Sequence, residues 1–195
     1  GSVKDVQQLA NKVHAAQHNS LLVKNLLCKD FDVRETVSEA FFNFEDLNNE
    51  ATFDVKELHP RYGIGGFDLS DTTDLTCATI LFGVQGDPNL YVKQMYWIPE
   101  ELFDKRVRED KVPYDIWEKK GFVRKSPGFR IDHRLILQWF EEQEAVNDIY
   151  LYKCGYDRWS AAYLVNDMKA RFGDSTMVGV AQGKQTLSGP MKALA

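Results

Sequence analysis

The pattern of apolar and polar positions changes character near residue 60. From Val3 to about Leu27, apolar residues recur at helical spacing, and a second short helix is predicted over Asp54–Leu58, before Pro60 ends it. After Gly63 the apolar residues gather in short runs rich in β-branched side chains, which is typical of strands. Residues 1–60 are therefore predicted to form a helical lead-in arm, and residues 61–195 the main domain.

Three consecutive strands are predicted at the start of the main domain. Their apolar runs cover residues 62–69, 77–84 and 90–98, and a Gly-Asp-Pro-Asn turn at 86–89 separates the last two. This spacing predicts an antiparallel meander. Pro99, Glu100 and Glu101 then open a helix, because proline suits the first turn and acids suit the positive end of the helix dipole.

The rest of the chain alternates strands and helices. An apolar run that ends at Gly155 predicts a fourth strand, residues 161–172 a helix that Gly173 ends, and residues 175–180 a fifth strand. A strand–helix–strand unit implies a right-handed crossover and a parallel pair. Residues 182–190 are predicted to form a polar loop. The order indicates an α/β fold of the ribonuclease H-like class, in which a mixed sheet (an antiparallel three-strand meander plus parallel strands) is flanked by helices.

Composition adds exclusions. The chain has 24 basic and 29 acidic residues, a formal charge of −5, so any contact with nucleic acid requires a local basic patch. Its 3 cysteines are far apart, which argues against both a disulfide framework and a CxxC metal site. No apolar run is long enough to span a bilayer, and we expect no membrane partner.

One stretch, from Lys119 to Arg134, is clearly basic. Two interpretations are open: a solvated loop, or a surface that contacts phosphates. In the second interpretation the DNA-binding residues are Lys119, Lys120, Arg124, Lys125 and Arg130.

Two aspartates are candidates for catalysis. Asp68 ends the first predicted strand, and Asp157 stands just past the end of the fourth. In a ribonuclease H-like fold these strands are neighbours, and ligands bind at the carboxyl ends of strands. Carboxylates suit Mg²⁺ or Mn²⁺, and two such ions about 4 Å apart stabilise both the attacking and the leaving oxygen in phosphodiester hydrolysis. Alternatively, Asp68 only caps a turn. Asp74 is either a further metal ligand or a turn residue.

Several short motifs in this order carry a family resemblance. They are Gly66–Ser70 with Asp74–Thr76, Tyr96–Glu100, Val112–Tyr114, Ser126–Gly128, Gly155–Asp157, and Gln182-Gly183 before Leu187–Lys192. From about Phe41 onward the chain resembles the carboxyl-terminal nuclease domain of the terminase large subunit of tailed bacteriophages. The resemblance implies a metal-dependent endonuclease that cuts concatemeric double-stranded viral DNA, with Asp68 and Asp157 as two of three metal-binding acids.

The resemblance also implies what surrounds this domain. The arm would be the linker from an ATPase domain of the same polypeptide, whose GxxxxGK[ST] phosphate loop is absent from this sequence. The implied partners are DNA, the portal protein and the small terminase subunit, in the host cell cytoplasm. The family's third acid lies on a helix beyond Leu187–Lys192. We therefore expect a domain truncated at its C-terminus that cuts DNA slowly or not at all.

Two other classes of function remain open at this point. Another ribonuclease H-like nuclease, of the resolvase or transposase type, would share Asp68 and Asp157. A non-catalytic module that docks on the portal or on the small subunit would tolerate the loss of both acids. Asp68→Ala separates the enzymes from the module, because only an enzyme loses cleavage while its fold stays intact.

Overall fold

The computed structural model describes residues 6–17, 23, 26, 49, 51–70, 74–157 and 162–194. The backbone divides into two compact units, residues 1–50 with residue 195, and residues 51–194. The first unit contains helix α1, Val6–Ala16, within the segment predicted to be helical. The domain boundary at residue 60 stays a prediction.

The second unit contains a mixed α/β domain. Its helices, numbered after α1 among the described elements, are α2 (Val55–Leu58), α3 (Glu100–Glu109), α4 (Tyr114–Lys119), α5 (Arg134–Asn147), α6 (Ala162–Phe172) and α7 (Lys184–Leu194). Its strands are β1 (Tyr62–Asp68), β2 (Thr76–Gly83), β3 (Leu90–Pro99), β4 (Val123–Ser126), β5 (Tyr150–Asp157) and β6 (Met177–Val180). None of the described helices is both long and apolar enough to cross a membrane.

The strands form one sheet in the order β4-β3-β2-β1-β5-β6. Strand β2 is antiparallel to both of its neighbours, β1 and β3. The β1–β5, β5–β6 and β3–β4 pairs are parallel. The predicted meander and parallel crossover are thus confirmed, and so is the neighbourhood of the first strand and the strand that ends at Asp157. The carboxyl ends of all strands except β2 lie at one edge of the sheet.

Two segments differ from their predictions. Strand β4 lies within the basic stretch. Its first and last residues, Val123 and Ser126, are buried, but the two residues between them are charged and conceal the strand pattern. The prediction of a polar loop over residues 182–190 is wrong, because helix α7 covers most of this segment. Its first turn closes through hydrogen bonds from the amides of Thr186 and Leu187 to the carbonyl of Gly183. The helix continues through Pro190, a residue that normally ends one.

The main core lies between one face of the sheet and helices α5 and α6. Alternate residues of β2 face it, which gives the strand a regular buried and half-buried alternation. Its centre holds Trp97 and Trp139, whose rings meet edge to face at 6.4 Å. The other core residues that are almost fully buried include Ala78, Ile80, Ile136, Phe140, Ile149, Cys154 and Met168.

The opposite face of the sheet is covered only in part by the described helices. A second cluster, of Ile98, Phe103, Tyr114 and Val123, joins α3 and α4 to the β3–β4 end of that face. Across the rest of the face apolar side chains remain exposed, and Ile64 is 54% exposed. We call this surface the open face.

Candidate metal-binding site at the carboxyl end of the sheet

Asp68 and Asp157 end two neighbouring parallel strands at the same level. The β1–β5 register pairs Gly66 with Gly155 and Phe67 with Tyr156, so the two acids are the next residues on each strand. Adjacent strands lie about 4.8 Å apart, which brings the two backbones close together. The rings of Phe67 and Tyr156 stack at 6.2 Å on the core side. Because side chains alternate along strands, both acids belong to the open face.

Glycines shape the strand that presents Asp68. A Cβ built on Gly65 would lie 2.7 Å from Leu151 Cδ1 and 2.9 Å from Phe140 Cε1, so these two side chains pack directly against the β1 backbone. On the open face, the nearest atom that a Cβ on Gly66 would meet among the described residues is the carbonyl oxygen of Gly155, at 3.7 Å. The two glycines therefore let core side chains contact β1 on one face and add no side chain of their own beside the acids on the other.

The connection after Asp68 is fixed by hydrogen bonds to side-chain hydroxyls. The Ser70 amide donates to Thr76 Oγ1 at 3.0 Å, and that hydroxyl donates to the Ser70 carbonyl at 2.9 Å. The Asp74 amide donates to Ser70 Oγ at 3.1 Å. Asp74 thus lies, exposed, in the turn that joins β1 to β2, on the same connection as Asp68. Asp71 lies outside the described residues.

Two residues that sequence reasoning missed, Cys77 and Tyr96, lie in line with Asp68 across the sheet. Asp68 pairs with Cys77 on β2, which pairs with Tyr96 on β3, so all three share the open face. Burial raises the pKa of the Cys77 thiol; hydrogen bonds from Thr79 and Tyr96 oppose the shift, and the charge of Asp68 adds to it. Burial also raises the pKa of Tyr96. The strand register, once known, is the signal that places Cys77 beside Asp68 and Tyr96 one strand further away.

The five predicted DNA-binding cations do not share one surface. Arg124 donates two hydrogen bonds to the Glu142 carboxylate of α5, at 2.7 and 2.8 Å. Lys125 faces the other side of β4, where its ammonium lies 2.9 Å from Glu118 and above the ring of Phe103. Lys119 and Lys120 are exposed before β4, and Arg130 is exposed after its carboxyl end. Arg130 therefore follows a strand that ends at the same edge of the sheet as Asp68 and Asp157.

The donor set suits a hard divalent cation, but it is small. Two carboxylates on adjacent strands offer the oxygen ligands that Mg²⁺ and Mn²⁺ prefer. Among the described residues, no three His, Cys, Asp or Glu side chains are grouped closely enough to hold a metal ion. The structure thus brings Asp68 and Asp157 together without completing a three-ligand site from Asp74 or any other described residue.

Comparisons with known proteins agree with this fold. The model of the family described as "Terminase large subunit, endonuclease domain" matches residues 1–195. The chain is 32% identical over 100 residues to the terminase large subunit of Enterobacteria phage HK97, covering 51% of this chain but 19% of that protein. The crystal structure of the HK97 large terminase superposes with a TM-score of 0.58 at 21% identity, over 100% of this chain and 40% of the other. The chain thus spans less than half the length of either relative.

The family match extends over the whole chain, and the solved relative shares its mixed sheet with flanking helices. The predicted ribonuclease H-like fold and the resemblance to a terminase nuclease domain are both confirmed. This chain belongs to the terminase large subunit endonuclease domain family.

Proposed function

We propose that this nuclease domain hydrolyses phosphodiester bonds of double-stranded DNA with the help of divalent metal ions held by Asp68 and Asp157. One observation carries the proposal: the two acids end adjacent parallel strands, at one level and on one face of the sheet. Carboxylates at such close range repel each other, and a cation bound between them attracts both and offsets that repulsion.

Residues of this chain would hold the metal ion and leave room for the DNA backbone. A bound Mg²⁺ or Mn²⁺ would supply charge neutralisation at the phosphate and a more acidic water nucleophile. Asp68 and Asp157 would hold the cation, and Asp74, on the same connection as Asp68, is a further candidate ligand. Gly66 and Gly155 add no side chains to the surface just below the acids, so a DNA backbone has room to approach.

DNA contact near this edge is proposed at Arg130, which is exposed beyond the carboxyl end of β4. Lys119 and Lys120 are exposed before β4, away from this edge. Arg124 and Lys125 already have carboxylate partners, so either residue must exchange Glu142 or Glu118 for a phosphate to take part. We therefore assign the larger contribution among the five cations to Arg130.

The wider role follows from the relatives. The HK97 relative is a terminase large subunit, and this chain matches part of its length. We propose that the domain acts on concatemeric viral DNA in the host cell cytoplasm. In this proposal it works with an ATPase domain of the same polypeptide, a portal protein and a small terminase subunit.

Metal binding and cleavage are tested together with Asp68→Asn, Asp157→Asn and the surface control Asp104→Asn. Isothermal titration with MnCl₂ measures binding, and nicking of supercoiled plasmid in the same buffer measures cleavage. We expect the two site variants to lose at least tenfold in Mn²⁺ affinity, because each removes a charged ligand. Asp104→Asn, on the exposed surface of α3, should match the unmodified chain in both assays.

Binding and cleavage separate the possible outcomes. Mn²⁺ binding that needs both acids supports the metal site even where cleavage is slow. Equal Mn²⁺ affinity in all four proteins would overturn the assignment of Asp68 and Asp157. Cleavage that survives both substitutions and persists in EDTA would overturn the metal-dependent mechanism itself.

A further inference from the structure

A cleft of about 1030 Å³ lies beside the outer edge of β3, away from the two acids. One wall is the segment 51–56, which leads into α2, and the far end is formed by Trp117 and residues 120–122 before β4. The floor is β3 itself, from Val92 to Tyr96. All of these residues belong to the unit 51–194. We call this feature the β3 cleft.

Among the described residues, the edge of β3 that faces the cleft has no strand partner over its first half. Strand β4 pairs with β3 at residues 96–99. The amide of Tyr96 donates to the carbonyl of Phe122 at 3.1 Å, so the backbone of Tyr96 points away from β2. Backbone direction alternates along a strand, and the β2–β3 register is regular, so the amides and carbonyls of Val92 and Gln94 point the same way. They form a row of strand-type donors and acceptors at the cleft.

The cleft combines this row with apolar walls and positive charge. Phe53, Tyr96, Trp117 and Phe122 line it, and Phe53 is held edge-to-face against Tyr91 at 5.0 Å. Three lysines line it, Lys56, Lys93 and Lys120, against one acid, Asp54. The Asp54 carboxylate already accepts a hydrogen bond from the Lys56 amide at the start of α2. The lining therefore has an excess of positive charge.

We infer that the β3 cleft binds an extended acidic peptide segment of a partner protein, which adds as a strand to the free edge of β3. An added strand takes main-chain hydrogen bonds from Val92 and Gln94, and its alternate side chains occupy the apolar walls. Acidic side chains on the segment are attracted by Lys93 and Lys120. The edge is short, and β4 closes one end of it, so the segment ends where β4 begins.

This occupant fits the cleft better than a nucleic acid does. A sugar–phosphate backbone cannot match the alternating amides and carbonyls of a strand edge. Lys93 is half-buried and lies near Arg124 and Glu142, so a large polyanion reaches this lysine less easily than an exposed one. Phosphate binding would instead draw equally on Lys119, which is exposed beside Lys120 but does not line the cleft.

The test uses the whole chain and a fluorescein-labelled peptide that alternates aspartate and valine. Fluorescence anisotropy measures its affinity for the chain and for the variants Val92→Pro and Lys120→Glu. Matched controls are Leu90→Pro, on the same edge outside the cleft, and Lys119→Glu. Proline at an edge position removes an outward amide without breaking the ladder to β2. Circular dichroism and thermal unfolding verify that each variant is folded.

We expect Val92→Pro and Lys120→Glu each to weaken peptide binding about tenfold or more, and the two controls to leave it within about twofold. A peptide with N-methylated amides and one that alternates lysine and valine should both bind at least about tenfold more weakly to the unmodified chain. The N-methylated peptide keeps the test decisive even where Val92→Pro fails to fold.

Three results would overturn the inference. The first is an acidic peptide that fails to bind, or binds equally to Val92→Pro. The second is short duplex DNA that binds where the peptide does not and is weakened equally by Lys119→Glu and Lys120→Glu, which assigns the lysines to DNA. The third is self-association in analytical ultracentrifugation that Val92→Pro abolishes while the peptide does not bind, which assigns the edge to a second copy.

Discussion

The hydroxyl of Thr76 serves the backbone of Ser70 twice. It accepts a hydrogen bond from the Ser70 amide at 3.0 Å and donates one to the Ser70 carbonyl at 2.9 Å. Thr76 begins β2 and is fully buried, whereas Ser70 lies two residues beyond Asp68. One side chain therefore closes the β1–β2 connection and keeps the end of β1 in register.

Replacing Thr76 by valine should destabilise the domain. Valine has nearly the same shape but no hydroxyl, so two backbone groups of Ser70 lose their partner. We expect a loss of about 1–3 kcal/mol in the free energy of unfolding, measured by urea denaturation. Thr76→Ser retains the hydroxyl and should lose less. A loss in Thr76→Val no greater than that in Thr76→Ser would contradict the role of the hydroxyl.

Substitution by alanine should lower thermal stability at Gly65 but not at Gly66. At Gly65 the added methyl would lie within 2.9 Å of both Leu151 and Phe140, and at Gly66 its nearest neighbour lies at 3.7 Å. Overpacking costs typically about 1–3 kcal/mol, so Gly65→Ala should lower the thermal midpoint by several degrees. Gly66→Ala should leave the midpoint almost unchanged. A similar decrease in both variants would contradict the close packing of Leu151 and Phe140 against Gly65.

The Arg124–Glu142 pair should contribute a pH-dependent part of stability. Hydrogen bonds from Arg124 hold the pKa of Glu142 below its ordinary value of 4.5. Folded Glu142 therefore binds a proton more weakly than unfolded Glu142 does. The contribution is present above about pH 4.5 and is lost as the pH falls through the lower, folded-state pKa.

Glu142→Gln tests this dependence by urea unfolding across roughly pH 3 to 7. Both side chains are about 40% exposed, so we expect a loss at neutral pH of a few tenths to about 1 kcal/mol, and a shallower decline toward acid. Arg124→Gln should match it, and the double variant should add little further loss. A slope identical to that of the unmodified chain would exclude the pair as a source of acid sensitivity.

Cys154 should be chemically inert while the domain is folded. Burial raises its pKa to about 12, and the thiolate is the reactive form. Iodoacetamide at pH 8, followed by peptide mass spectrometry, should therefore leave Cys154 unmodified and alkylate it in urea. Cys77, which is only half-buried, should react faster than Cys154 in the folded domain but more slowly than either thiol in urea. Native alkylation of Cys154 as fast as that of Cys77 would indicate local opening of β5.

Most of the sheet was predictable because its strands alternate cleanly or form continuous apolar runs. Strand β2 shows this best, since alternate residues from Thr76 to Phe82 are buried. Strand β4 was not predictable, because Arg124 and Lys125 both carry charge and satisfy it with carboxylates from opposite faces of the sheet. Helix α7 was missed because Gly189 and Pro190 ordinarily signal a break, and the described helix continues through both.

The candidate site was predictable only as far as strand ends. Each acid follows an apolar run, and this pattern places Asp68 and Asp157 at carboxyl ends that converge. Their equal level depends on a register shift between Gly63 and Ile64 in the β1–β5 pairing, which no local pattern encodes. Strand pairing likewise places Cys77 beside Asp68 and Tyr96 beside Cys77, although the three residues are separate in the sequence.

The lack of side chains on the inner side of β1 limits how this domain can change. At Gly65 the side chains of Leu151 and Phe140 occupy the place of a Cβ and contact the main chain directly. A change of size in either side chain therefore acts on the backbone of the strand that ends at Asp68. Sequence drift in the core must be compensated among Phe140, Leu151 and Ile80, which surround the glycines, and not on the strand that carries the acid.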